Sequence, residues 1–308
     1  MTTFPARPRV LQGAALLGAG LAVLNTLVSV SADALAKDLV ASYAAPQLMA
    51  GAGLIAVTIG LLMSLAGSRD IVLKTGAPGR VALRSMLGAI STVGFFLAYR
   101  ELPFAEMFPF IAILPIFAAV LSGPILKERI GLAVWIALAF GMTGMFFLFP
   151  EGIPGVTRGH MLGLGASLTG AASIVLSRGI CRSHTHAFAQ VFYAQMACAV
   201  LGLLLLPLVW KPMQTQDMGL LALYTLFLLA TRWLMVMVVR LIPAHVALQI
   251  GNIQFVWMVL VGHFVFGEPT GANVWAGAGL VIASGLWLVQ AQRRAQNSEG
   301  KRRSASAA

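Results

Sequence analysis

Charged side chains are scarce in this sequence: Asp, Glu, Lys and Arg make up 10% of its 308 residues, where a soluble domain carries about 25%. So few charges cannot cover a water-facing globular surface. Cysteine is nearly absent. Cys181 and Cys198 stand 17 residues apart, one at the end of an apolar span and the other inside the next. That spacing argues against a disulfide, and neither thiol has metal-ligand company. Both read as small apolar filler. Common catalytic motifs are missing too. There is no Gly-x-x-x-x-Gly-Lys-Ser/Thr phosphate loop, no His-Glu-x-x-His metal helix and no Gly-x-Ser-x-Gly nucleophile turn, which argues against an ATP-driven pump, a metal peptidase and a serine hydrolase. The chain is expected to be no enzyme, to hold no cofactor or metal, and to draw energy from an ion gradient, from exchange, or from its substrate's own gradient.

What is present is apolar. Hydrophobic residues make up 59% of the chain and its mean hydropathy is +0.87, so lipid is its main solvent. A bilayer core about 30 Å thick needs roughly 20 residues of helix, and that ruler fits ten times: 11–36, 45–66, 81–99, 103–125, 130–149, 160–178, 187–209, 218–239, 243–266 and 272–291. The expected fold class is all-α integral membrane. The formal charge of +11 sits in short loops and tails between these spans, a pattern of topology and not of a nucleic-acid patch. With the N-terminus placed in the cytoplasm, 16 Lys and Arg fall on that side, four (Lys37, Arg100, Arg158 and Lys211) on the other, and Arg232 inside a span. Both termini are therefore expected inside. Arg7, Arg9, a long apolar run and Ala34-Leu35-Ala36 imitate a secretory signal. The run exceeds the usual 7 to 15 residues of a signal core, so the segment is expected to stay as the first helix.

The sequence repeats itself. A shift of 140 positions brings Arg100 onto Arg240, Pro103 onto Pro243, Glu128 onto Glu268, Gly131 onto Gly271 and Trp135 onto Trp275. A shift of 141 brings Leu35 onto Leu176 and Lys37 onto Arg178. Each half then holds five spans, and because five is odd the second half enters the membrane the other way up. Two inverted five-helix repeats are expected, over 11–149 and 160–291, between a short tail at 1–10 and a disordered basic tail at 292–308. Such repeats give a transporter two related packings around a site near the midplane. Pro103, Pro109, Pro115 and Pro124 fall in or beside the fourth span, where a Pro inside a helix removes a hydrogen bond and invites a bend; Pro103 and Pro243 also suit helix starts. Gly51 with Gly53, Gly141 with Gly144 and Gly277 with Gly279 permit close helix approach.

These residues resemble a known family. Leu83-Arg84-Ser85-Met86-Leu87-Gly88, Ala98-Tyr99-Arg100-Glu101-Leu102-Pro103-Phe104-Ala105-Glu106, Pro115-Ile116-Phe117 and Lys127-Glu128-Arg129-Ile130-Gly131 look like the first repeat of an EamA-type protein of the drug/metabolite transporter superfamily. Phe266-Gly267-Glu268 and Gly277-Ala278-Gly279-Leu280-Val281-Ile282-Ala283-Ser284-Gly285 look like the second. With Asp33-Ala34-Leu35-Ala36-Lys37, that ending is similar to a subgroup carrying S-adenosylmethionine, riboflavin or opine-type metallophores. The chain departs from it before Phe266, where Gln249, Asn252 and Gln254 stand in place of a Pro and a Tyr.

Polar residues inside spans are the candidates for a site. Arg232 lies deep in the eighth span, where it either snorkels to the boundary or offers a bidentate fork to a substrate carboxylate. His245, Gln249, Asn252, Val256, Val259 and His263 are spaced 4, 3, 4, 3 and 4, one face of the ninth helix. Its amides suit either a polar substrate or interhelical hydrogen bonds. Asn25 and Tyr193 add hydrogen-bonding groups, while Trp257 could stack on a planar or cationic ligand. Asp33, Glu106, His245 and His263 are candidates for coupling or gating, although Asp33, four before Lys37, also fits a simple ion pair on its own helix. The expectation is a secondary transporter for a small polar, amino-acid-derived metabolite, an opine-type metallophore or S-adenosylmethionine, in the inner membrane. A riboflavin, vitamin or drug carrier, a membrane scaffold or sensor, and an intramembrane enzyme are the alternatives. The expected partners are a small-molecule substrate and the bilayer, with no nucleic acid, and a homodimer is left open.

Overall fold

The computed structural model describes residues 8–65, 73–126, 156–181, 187–241, 250–251, 253–269 and 271. Among these, every regular element is helical: α1 (Pro8–Ser42), α2 (Ala45–Leu65), α3 (Pro78–Glu101), a 3-10 turn (Ala105–Met107), α4 (Phe108–Ala112), α5 (Leu114–Leu126), α6 (Arg158–Cys181), α7 (Ala187–Val209), α8 (Thr215–Leu241) and α9 (Gln254–Phe264). Seven stretches are long and apolar enough to cross a membrane, and α9 is a shorter apolar helix. The expected spans at 130–149 and 272–291 lie outside the described residues, as does the tail at 292–308. Helices are the natural outcome for such a chain, because only they satisfy each backbone group within one segment when no water is available. Leu62, Leu65, Met86, Met161, Leu204 and Leu208 are exposed, a surface suited to lipid and not to water.

Where the sequence predicts one helix over 103–125, the structure has three pieces, the 3-10 turn, α4 and α5, broken at Ile113. Pro115 has no N–H to return to Ile111, and the break follows from that. The long helices pack in antiparallel pairs: α1 with α8, α2 with α7, and α3 with α6, while α3 also touches α7, α5 touches α6, and α1 touches α9.

Small residues set these approaches. A Cβ placed on Gly53 would lie 2.7 Å from the Ala199 nitrogen, and one on Gly202 would strike the Ala50 nitrogen and lie 2.6 Å from the Pro46 carbonyl. On the α3–α6 seam, Gly94 faces Ala166, the Ser91 hydroxyl donates to the Ala166 carbonyl at 2.7 Å, and the Ser173 hydroxyl donates to the Arg84 carbonyl at 2.9 Å. Along α1–α8, Ala22 packs on Val238, and at one end of that pair the Tyr43 hydroxyl donates to Asp217 at 2.5 Å and accepts the Gln214 N–H at 3.2 Å. The Asp217 carboxylate pushes the Tyr43 phenol above its usual range, which keeps it protonated as that donor. Most other hydroxyls turn back on their own helix. Thr26 donates to Val23 at 2.7 Å, Thr92 to Gly88 at 3.0 Å, Ser122 to Ala118 at 2.7 Å and Thr225 to Leu221 at 2.8 Å.

Candidate functional site

A cavity of about 280 Å³ lies among α1, α3, α4, α5, α8 and α9. α1 contributes Ser29, Asp33 and Ala36, which fall on one face because they are four and three residues apart. α3 contributes Thr92, Phe95, Phe96 and Tyr99, and the broken fourth span contributes Ile111 and Leu114 at its break. Tyr224 of α8 and Gln254 of α9 complete the wall. The helix break before Pro115 therefore falls at the cavity wall, between Ile111 and Leu114.

Asp33 is the one carboxylate in this wall. Gln254 donates its side-chain amide to Asp33 Oδ2 at 3.3 Å, and the Tyr99 hydroxyl lies within hydrogen-bonding reach of the same carboxylate. The Tyr224 ring lies tilted at 55° to that of Phe96, with centroids 6.1 Å apart, and sits within electrostatic reach of both Asp33 and Arg232. Both donors on Asp33 are neutral.

One helical turn along α1 from Asp33, Lys37 forms a clasp. Its ammonium donates to Glu268 Oε1 at 2.5 Å and to the Leu102 carbonyl at 3.0 Å. Glu268 in turn accepts the Phe104 N–H, 2.8 Å from each carboxylate oxygen. The ammonium lies 5.2 Å from the centre of the Phe266 ring and 6.0 Å from that of Phe104. Gly267, at φ 65°, takes the left-handed turn that brings Glu268 back toward this point, a conformation that glycine adopts without steric cost. The ion pair is largely buried, with side chains 16% and 15% exposed. The pairing of Asp33 with Lys37 suggested by their spacing is thus replaced: Lys37 finds its acid 231 residues away, where it also satisfies a carbonyl and two aromatic faces.

Glu268→Ala is expected to cost about 3–5 kcal/mol, because it strands a mostly buried ammonium. The check is thermal unfolding of the purified protein, in which the double variant Lys37→Met, Glu268→Leu should recover most of the lost stability.

The other candidates are dispersed. Arg232 is exposed on α8, within electrostatic reach of Cys198 and Tyr224. Trp257 donates its indole N–H to Thr26 at 3.2 Å, a bond between α9 and α1. The Asn25 side-chain oxygen is buried and accepts no bond from the described residues. Tyr193 donates to the Leu73 carbonyl at 3.1 Å, away from the cavity wall. Glu106 lies 3.4 Å from the His160 ring nitrogen, and His263 is exposed with its ring 3.4 Å from the Glu268 carbonyl. His245, Gln249 and Asn252 fall outside the described residues. Sequence reasoning gave no role to Tyr99, Tyr224, Gln254 or Glu268. A signal existed for the tyrosines, since the chain has only four and one buried in an apolar span needs a partner for its hydroxyl.

Residues 157–290 match the EamA-like transporter family. The chain is 23% identical over 186 residues to a riboflavin transporter of Vibrio cholerae serotype O1, covering 60% of this chain and 62% of that protein, less than two thirds of its length. It is 28% identical over 210 residues to the pseudopaline exporter CntI of Pseudomonas aeruginosa, covering 66% of this chain and 72% of the exporter. A riboflavin transporter of Rhizobium johnstonii is 23% identical over 225 residues, covering 72% and 74%. A solved crystal structure of a protein with 19% identity superposes with a TM-score of 0.57, over 92% of this chain and 98% of its own, so the two share a fold. Residues 157–290 thus match an EamA-like transporter domain, in a chain whose described residues hold seven helices long and apolar enough to cross a membrane.

Proposed function

We propose that this protein is a secondary transporter that moves a small polar, amino-acid-derived metabolite across the bacterial inner membrane by alternating access, with both termini in the cytoplasm. The observation that carries this reading is the cavity, whose wall comes from both halves of the chain, Asp33, Thr92 and Ile111 from the first and Tyr224 and Gln254 from the second. In this orientation the clasp lies on the extracytoplasmic side of Asp33 and holds the two halves together there.

Two inverted repeats, 11–149 and 160–291, account for the way the helices pair. Exchanging the halves turns the α1–α8 pair into the α6–α3 pair and returns α2–α7 to itself, and all three are extensive contacts. The sequence shifts also account for register. Moving Ala22 forward by 141 and Val238 back by 140 gives Gly163 and Ala98, one helical turn along the same antiparallel seam from the contact of Ala166 with Gly94. That agreement supports halves that are interchangeable in packing, which is what alternating access requires.

A neutral flavin is the second reading, favoured by the two relatives that are riboflavin transporters. The test is counterflow in proteoliposomes loaded in turn with riboflavin, S-adenosylmethionine and an opine. Saturable flux of one of them is the expected result. Binding without flux would make the protein a receptor or scaffold, and a product of altered mass would make it an enzyme.

A further inference from the structure

We propose that Asp33 anchors a protonated amine of the substrate, so that the cavity selects ammonium compounds over neutral ones of the same shape. The proposal rests on the cavity being the transport site and names the substrate class it takes. A carboxylate held away from water is costly unless a cation or several donors meet it. Asp33 has the Gln254 amide and the Tyr99 hydroxyl, while a carboxylate offers about four acceptor positions. Among the described residues no cation pairs with it.

The cation nearest along α1 is already taken. Lys37 is held by Glu268, the Leu102 carbonyl and two aromatic rings, so it cannot turn back toward Asp33 without breaking the clasp. The remaining wall suits the same ligand. Phe95, Phe96, Tyr99 and Tyr224 line the cavity, and aromatic faces attract a desolvated cation. Ser29 and Thr92 supply hydroxyls that can accept the other ammonium protons.

The test compares tyramine, which carries the ammonium, with N-acetyltyramine, which keeps the ring and replaces the charge by an amide. Affinities are read by calorimetry on the detergent-purified full chain. Tyramine is expected to bind roughly 10- to 100-fold more tightly, the range that a charge-assisted hydrogen bond supplies. Asp33→Asn should erase that preference while leaving N-acetyltyramine binding within about threefold, and Asp33→Glu should restore part of it. Tyramine binding no tighter than N-acetyltyramine, including no measurable binding of either, overturns the proposal. The comparison on the unaltered protein stands even where Asp33→Asn does not fold. Saturable riboflavin flux that Asp33→Asn leaves unchanged would keep the transporter and sink the amine anchor. A tyramine preference without flux of any compound would keep the anchor and sink the transporter.

Discussion

Joining position 37 to position 268 is expected to stop transport completely. In the unaltered chain, Lys37 of α1 and Glu268, just beyond α9, meet at 2.5 Å and also hold the Phe104 N–H and the Leu102 carbonyl, so three separate segments converge on one ion pair. If the cavity opens alternately to each side, these segments must part once in every cycle. A covalent bridge removes that step whatever the substrate. The experiment places cysteines at both positions in a chain whose Cys181 and Cys198 are alanine, and closes the bridge with a short bifunctional thiol reagent carrying its own disulfide. Counterflow should vanish on bridging and return on reduction. Full flux through a quantitatively bridged protein would show that the clasp is static and that access to the cavity lies elsewhere.

Gly202→Leu is expected to leave no folded protein. The Cβ of any residue at 202 would strike the Ala50 backbone nitrogen and lie 2.9 Å from its Cα. Neither atom can step aside without moving α2 as a whole. Overpacking a core costs about 1–3 kcal/mol where side chains can yield, and here the obstacle is backbone. Moreover, Gly53 against Ala199 is a second contact of the same kind on the same seam, so a shift that relieves one end disturbs the other. Gly165→Leu is the control, because a Cβ at 165 meets nothing within 4 Å. Size-exclusion profiles of detergent extracts should show a sharp peak for the unaltered chain and for Gly165→Leu, and none for Gly202→Leu. A monodisperse Gly202→Leu peak would mean that α2 and α7 do not pack as described.

The membrane-length helices were legible in the sequence because hydrophobic length is a local property that survives folding. Helix ends were less so. α1 runs on to Ser42 and α8 begins at Thr215, beyond the expected 36 and 218, since polar residues at a boundary neither end nor extend a helix by themselves. The cavity was legible only in part. Asp33 was a candidate because a carboxylate in an apolar span is costly, but its spacing from Lys37 pointed to the wrong partner. A four-residue rule sees one helix and cannot see Glu268 arriving from the far half of the chain. The partner of the Trp257 N–H was likewise illegible: it bonds Thr26 of the first helix, 231 residues away. The polar stripe of the ninth span put weight on Gln249 and Asn252, which fall outside the described residues; among the described residues of that span Gln254, off the stripe, reaches Asp33. Which face of an apolar helix looks inward depends on its neighbours, and the sequence of that helix does not contain them.

The hydroxyls that bond back to their own helices bear on how the protein is made. A hydroxyl entering hydrocarbon without a partner costs roughly 2–7 kcal/mol, yet Thr26, Thr92, Ser122 and Thr225 carry their acceptors with them. Spans of this kind can leave the insertion machinery one at a time and wait in the lipid. Ser91 and Ser173 differ, because their acceptors lie across the α3–α6 seam. Those two groups favour early docking of α6 onto α3 during synthesis, ahead of the helices that follow it in the chain, which makes that seam the natural starting point for assembly.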